Sequence, residues 1–149
     1  MQGDLWPYVL DDIGILATIE WYCREFNFSH PALSIEKHID LAEEEIPAPI
    51  KIVIYREMQE ALSNVAKHSN ATHVTLSLLK KNDRIEFTVE DNGIGFDPEE
   101  TVVKTSPWGG LGLLCLKARA ALSGGIFGVE SAKGKGTTLR ASWPLSGNN

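Results

Sequence analysis

On both sides of Lys81-Asn82-Asp83 the chain alternates apolar and polar residues over a strand's length, and no other stretch constrains the fold as much. Val74, Leu76 and Leu78 share one parity before the turn, and Ile85, Phe87 and Val89 share one after it. Side chains on a strand point to opposite faces with a period of two, so each run has one apolar face and the pair reads as a hairpin. A sheet built on this hairpin must bury that face against a second layer. Asp91 then falls in step with Val89, and a carboxylate facing an apolar layer is costly unless donors meet it. Asp91-Asn92-Gly93 suits a strand ending in an Asx-type turn, while Gly93 and Gly95 let the backbone approach a ligand or take dihedrals that other residues avoid.

The rest of the chain supplies the second layer. Residues 13–26 carry Ile15, Leu16, Ile19, Tyr22, Cys23 and Phe26 at helical spacing, with Asp11 and Asp12 placed to cap or charge the start. Residues 32–41 alternate weakly through Leu33, Ile35 and Ile39, and Pro47 and Pro49 introduce a helix over 49–68. Residues 98–108 read as a loop. Gly109-Gly110-Leu111-Gly112 opens a helix that reaches Leu122 and stops at Gly124-Gly125, and short strands follow at 126–131 and 137–143. The pattern is α+β in two layers, one sheet with helices on one face.

At 149 residues and 43% hydrophobic, the chain has the size of one domain with a real core. A net charge of -6 disfavours nucleic acid and anionic membrane surfaces, which need a basic face. Cys23 and Cys115 sit in apolar helical contexts without a further ligand pair, which suits buried thiols in a reducing compartment better than zinc. No apolar run approaches the roughly 20 residues of a membrane span, and the first residues lack a signal pattern. The expectation is a soluble, cytoplasmic domain.

Two further patterns carry chemistry. On the 49–68 helix, Glu57, Glu60, Asn64 and His68 recur at three- and four-residue steps and form one polar stripe. Ile54, Met58, Ala61, Leu62 and Val65 form the apolar stripe beside it, so the polar line borders the core instead of open water. Asn64 is a mediocre helix former, and a carboxylate one turn before an amide oxygen suits a water or a metal ion between them. The glycine cluster at 109–112 leaves free backbone N–H groups at a helix start, which favour an anion. It is not a dinucleotide fingerprint, since no third glycine follows at the required position and a loop precedes it, and no G-x-x-x-x-G-K-[ST] occurs.

Together these pieces resemble the ATP-binding domain shared by sensor histidine kinases, topoisomerase ATPase modules and related chaperones and repair proteins. Its N box looks like Glu60-x-x-x-Asn64 with His68 one turn on, and its first glycine box like Asp91-Asn92-Gly93-Ile94-Gly95-Phe96. The second is similar to Gly109-Gly110-Leu111-Gly112-Leu113 and the third to Gly134-Lys135-Gly136-Thr137. The runs 56–68 and 112–119, with Leu10-Asp11-Asp12-Ile13-Gly14-Ile15 at the front, look like kinases that pair with response regulators of the NarL kind. The short lid, lacking the phenylalanine box of larger histidine kinases, points the same way.

The resemblance implies a Bergerat-type two-layer α/β sandwich with a mixed sheet, a junction to a dimerisation hairpin over 1–12, an ATPase domain over 13–145 and a tail over 146–149. It implies that Asp91 accepts from the adenine amine, that Gly93, Ile94, Gly95 and Phe96 pass beside the base and that Thr137 closes the pocket. Asn64 would hold Mg²⁺, Glu60 would act as base or polarise the accepting group, and His68 would lie near the phosphates. Gly109, Gly110, Leu111, Gly112 and Leu113 would meet the phosphate tail, with Lys104, Lys117 and Arg119 as candidate cations. The implied partners are ATP, the phosphoacceptor domain of the same kinase and a NarL-type response regulator, with a homodimer for the full-length protein and a monomer for the fragment. None of His30, His38, His68 or His73 sits in the basic His-Asp or His-Glu setting of a phosphoacceptor, so the chain reads as a catalytic fragment. A serine kinase of the anti-sigma-factor type and a nucleotide-binding module without transfer are the rival readings.

Overall fold

Strong alternation on both sides of Asn82-Asp83 does close a hairpin. In the computed structural model, which describes residues 6–97 and 111–145, strand β2 (His73–Lys81) pairs antiparallel with β3 (Arg84–Asp91), from Lys81↔Arg84 to Val74↔Asp91. Asn82 and Asp83 both take positive φ, 52° and 63°, as a two-residue turn of the I′ kind requires. Strands β1 (Ser34–Asp40), β4 (Ile126–Ser131) and β5 (Thr137–Pro144) complete one sheet in the order β1-β2-β3-β5-β4. The β1–β2 pair is parallel and the others antiparallel, so the sheet is mixed. The parallel pair needs a crossover, which helix α2 (Ala48–Asn64) provides.

Parity decides which face is covered. Val74, Leu76 and Leu78 of β2, Ile85, Phe87 and Val89 of β3, and Leu139, Ala141 and Trp143 of β5 are all buried. They meet Ile50, Ile54, Met58, Ala61, Leu62 and Val65 from α2 and its end, Ile15, Ile19 and Cys23 from helix α1 (Trp6–Ser29), and Leu116 and Ala120 from helix α3 (Leu111–Leu122). Each fully buried aliphatic or aromatic side chain here is worth roughly 1.5–3 kcal/mol. The fold is the two-layer α+β sandwich expected, with its apolar helix stripe where the spacing put it. Cys23 is buried, and burial pushes its thiol up to about 11, whereas Cys115 is only half-buried.

Two helix ends differ in detail from the sequence reading. The side chains of Asp11 and Asp12 lie outside the described residues, but the helical backbone already runs from Trp6 and breaks at Gly14, where φ is 86°. The helix that restarts there is capped by Glu43, in a short 3₁₀ turn after β1, whose two carboxylate oxygens accept the N–H groups of Ile15 (2.8 Å) and Leu16 (3.0 Å). Lys51 of α2 holds the same carboxylate at 2.7 Å, and these donors set it below the usual range against the opposing effect of burial. The α-helix expected over 49–68 ends at Asn64, and Val65–Ser69 continue as a wider π turn closed by Asn70 at φ 57°.

Candidate functional site

The inner ends of β3 and β5 meet at Asp91 and Thr137, which are register partners and 5% and 2% exposed. Asp91 Oδ1 accepts the Gly93 N–H at 2.7 Å, so the Asx turn read from the sequence is present on a carboxylate that also lies in the inner layer. Burial raises the Asp91 carboxyl, the backbone amides of Gly93 and Thr137 pull it back, and Glu90 raises it further. Next in the chain, Asn92 is spent on the fold. Its Oδ1 accepts the N–H groups of Thr72 and His73, both at 3.0 Å, and fastens the loop to the start of β2.

Backbone-to-backbone packing explains the glycines here. A Cβ on Gly93 would overlap the carbonyl of Ser69, which instead accepts the Ile94 N–H at 2.7 Å. Gly95 takes φ 67°, and a Cβ there would overlap the carbonyl of Ala132, while one on Gly136 would overlap the carbonyl of Asp91. Three loops, 69–72, 92–96 and 132–136, are therefore locked together beside the carboxylate. Ser131 completes the lock, since its hydroxyl accepts the Phe96 N–H at 2.8 Å, donates to the Gly136 carbonyl at 3.0 Å and lies 2.8 Å from the Thr137 hydroxyl. Phe96 is buried beneath, whereas Ile94 is half exposed.

The α2 flank has the opposite character. Asn64 is 7% exposed, and its Nδ2 has no hydrogen-bond partner among the described residues. Glu57, two turns earlier, is 2% exposed with Oε2 also unpartnered, and burial pushes its carboxyl up to about 8. Glu60 is only partly buried. Orphaned buried polar atoms are rare in folded proteins, and each asks for a missing partner. The assignment of oxygen and nitrogen in an amide is interchangeable, so the orphaned Asn64 position suits either a phosphate oxygen or a hydrated cation. That fits Mg²⁺, which takes few protein oxygens.

Among the residues expected in the site, Asp91, Gly93, Ile94, Gly95, Phe96 and Thr137 come together in one corner. Asn64 ends α2, whose π turn delivers Ser69 to that corner, and Leu111 and Gly112 open α3. The side chains of His68, Leu111 and Leu113 and all of Gly109, Gly110 and Lys104 lie outside the described residues. Lys117 is exposed and Arg119 half-buried. Sequence reasoning missed Ser69 and Ser131, whose contacts span 25 and 35 residues, and it left Glu57 without a part although the polar stripe contained it.

Residues 51–147 match the family model described as histidine kinase-, DNA gyrase B-, and HSP90-like ATPase. The chain is 37% identical to the sensor histidine kinase MctS of Rhizobium johnstonii over 99% of its own length and 31% of that protein. It is 35% identical to the sensor histidine kinase LiaS of Bacillus subtilis, covering 93% of this chain and 36% of that protein. The chain thus spans about a third of the length of these curated relatives. The histidine kinase domain of a blue-light activated kinase from Erythrobacter litoralis superposes with a TM-score of 0.70 at 21% identity, covering 89% of this chain and 61% of that one, a likeness of fold.

Proposed function

Since this chain belongs to the family of histidine kinase-, DNA gyrase B- and HSP90-like ATPases, we propose that it binds Mg-ATP between the Asp91 corner and the α2 flank. Within a longer protein, it would present the γ-phosphate to a histidine of a dimerisation domain. The observation that carries the reading is Asp91, a carboxylate buried in the apolar layer and held by the Gly93 amide at 2.7 Å. A fixed acceptor beside apolar walls is what a heterocyclic base with an exocyclic amine needs.

The chain's own residues divide the work. Asp91 accepts from the base, and Thr137, pinned through Ser131, closes the pocket beside it. Gly93, Ile94, Gly95 and Phe96 form the wall, which the packed glycines keep in place. Asn64 holds Mg²⁺, whose contribution when bound is to offset the phosphate charge. Leu111, Gly112 and Leu113 offer amides at the start of α3, with Gly109 and Gly110 before them. Glu60, partly exposed one turn before Asn64, orients or takes the proton of the accepting group. His68, Lys104, Lys117 and Arg119 complete the phosphate side. Catalysis then rests on positioning and charge.

The same reading assigns residues 1–12 to the junction, 13–145 to the ATPase domain and 146–149 to a tail. It gives the full-length protein a NarL-type response regulator, a homodimeric state and a cytoplasmic catalytic domain. No helix of the described residues is long and apolar enough to cross a membrane. Calorimetry with ATP, ADP and GTP, each with and without Mg²⁺, tests the pocket, and equal affinity for ATP and GTP would end the adenine assignment. Transfer to a supplied histidine hairpin, set against a serine-bearing partner, tests the reaction.

A further inference from the structure

Glu57 is the buried group that nucleotide binding leaves without a task. It faces the seam between α2 and α3, where a cavity of about 10 Å³ is walled by Glu57 and Ala61 of α2, Leu116 of α3, Phe87 and Val89 of β3, Phe127 of β4 and Leu139 of β5. Such a space holds one water at most. With Oε2 unpartnered among the described residues and apolar walls around it, an ionised carboxylate is strongly disfavoured and a neutral carboxyl is tolerated. Burial accordingly raises this group to about 8, Arg119 of α3 pulls it down and Glu60 of α2 pushes it up.

Among the described residues, the other charges near the seam are turned elsewhere. Arg140 of β5 borders the cavity, but its side chain is exposed and pairs with Glu86 and Glu130 at 3.7 Å. On α3, Lys117 is exposed and Cys115 half-buried; on α2, Arg56 bonds the Gln59 side chain at 3.4 Å. At the far end of the inner face of β3, Asp91 accepts the Gly93 amide. Among the described residues, Arg119 stands three residues beyond the cavity-lining Leu116, hence on the same side of α3, and is the cation whose field reaches Glu57 from the facing helix.

We propose that Glu57 is a positioning residue for α3, a buried carboxyl whose ionisation draws Arg119 across the α2–α3 seam and reseats the helix that begins at Leu111-Gly112. A buried charge without a partner is not stable, and a helix of 12 residues moves as one body, so a shift at Arg119 is felt at the first turn. The consequence for phosphate binding rests on the nucleotide reading above; the coupling between Glu57 and α3 does not.

The unliganded chain, labelled on its backbone amides and glutamate carboxyls, is titrated by NMR from about pH 6 to about pH 10. The Glu57 carboxyl should titrate near pH 8, and the amides of residues 116–120 should shift with the same midpoint. Glu57→Gln should hold those amides still, and Arg119→Met should move the Glu57 midpoint upward. Mg-ATP affinity should differ by about threefold or more between the ends of the titration in the wild type and stay nearly flat in Glu57→Gln. Amides on α3 that ignore pH, or that shift equally in Glu57→Gln, overturn the proposal. Because the carboxyl and amide signals come from the unsubstituted chain, a variant that fails to fold does not remove the test. If α3 responds yet ATP binds at no pH, the coupling stands and the nucleotide reading falls; if ATP binds and α3 is unresponsive, the reverse holds.

Discussion

The Asp91 corner and the α2 flank lie on the same apolar layer and are built on opposite principles. In the corner, the loop polar groups are paired at 2.7–3.0 Å and three glycines permit backbone to rest on backbone. On the flank, Glu57 and Asn64 are as deeply buried and each keeps an atom without a partner among the described residues. A corner of the first kind is finished before any ligand arrives. A flank of the second kind is stabilised by what it binds or by the proton it keeps. The difference teaches where the two halves of an ATP site differ: the base can be recognised by a rigid wall, whereas phosphate and metal call for groups held in reserve.

That contrast can be broken most decisively at Gly95. Gly95→Ala forces a positive φ on a residue with a Cβ and drives it into the Ala132 carbonyl, so we expect a loss of about 3 kcal/mol or more in denaturant unfolding. A loss near zero would mean that the corner is not locked. Asp91→Asn keeps an acceptor for the Gly93 amide and so the fold, but removes the charge, with ATP affinity falling by about 1.5–3 kcal/mol in calorimetry. Next in size is a pH effect. The Glu57 carboxyl is raised from 4.5 to about 8, so its contribution to stability is full below the unfolded value and is lost as pH rises through about 8. Glu57→Gln should remove that decline and leave the variant on the order of 1–2 kcal/mol more stable than the wild type in alkaline unfolding experiments. The smallest effect on stability belongs to Asn64→Leu. Removing an orphaned amide should leave stability unchanged or raise it by up to about 1 kcal/mol, while Mg-dependent nucleotide binding is lost. Loss of stability with metal-dependent binding intact would place Asn64 among the structural residues.

How legible these features were depends on distance along the chain. The hairpin was plain because Val74 to Asp91 keeps one strong period, and Asp91 stood out because parity alone located it inside. The polar stripe of α2 was also readable, but the depth of Glu57 was not, since Leu116 and Leu139, some 60 and 80 residues away, create it. The cap of the helix that restarts at Ile15 was equally hidden from local reading, because Glu43 lies 28 residues beyond it. The π turn had no period to announce it, and Ser69 acquires its purpose only through Ile94. In the corner, the glycines were recognised as a motif, yet the neighbours that demand them, Ser69 and Ala132, come from other loops.

The break at Gly14 has a mechanical consequence. A helix passes rotation along its axis only while its ladder of hydrogen bonds is continuous. The segment from Trp6 ends where that ladder stops, and the next one begins on Glu43, a carboxylate anchored to α2 through Lys51. Turning the first segment therefore spends itself in the Gly14 dihedrals, whereas pulling on it loads the second segment at its capped end. The joint is a swivel, with the first segment ending at Gly14 and the start of the second fixed by Glu43 and Lys51.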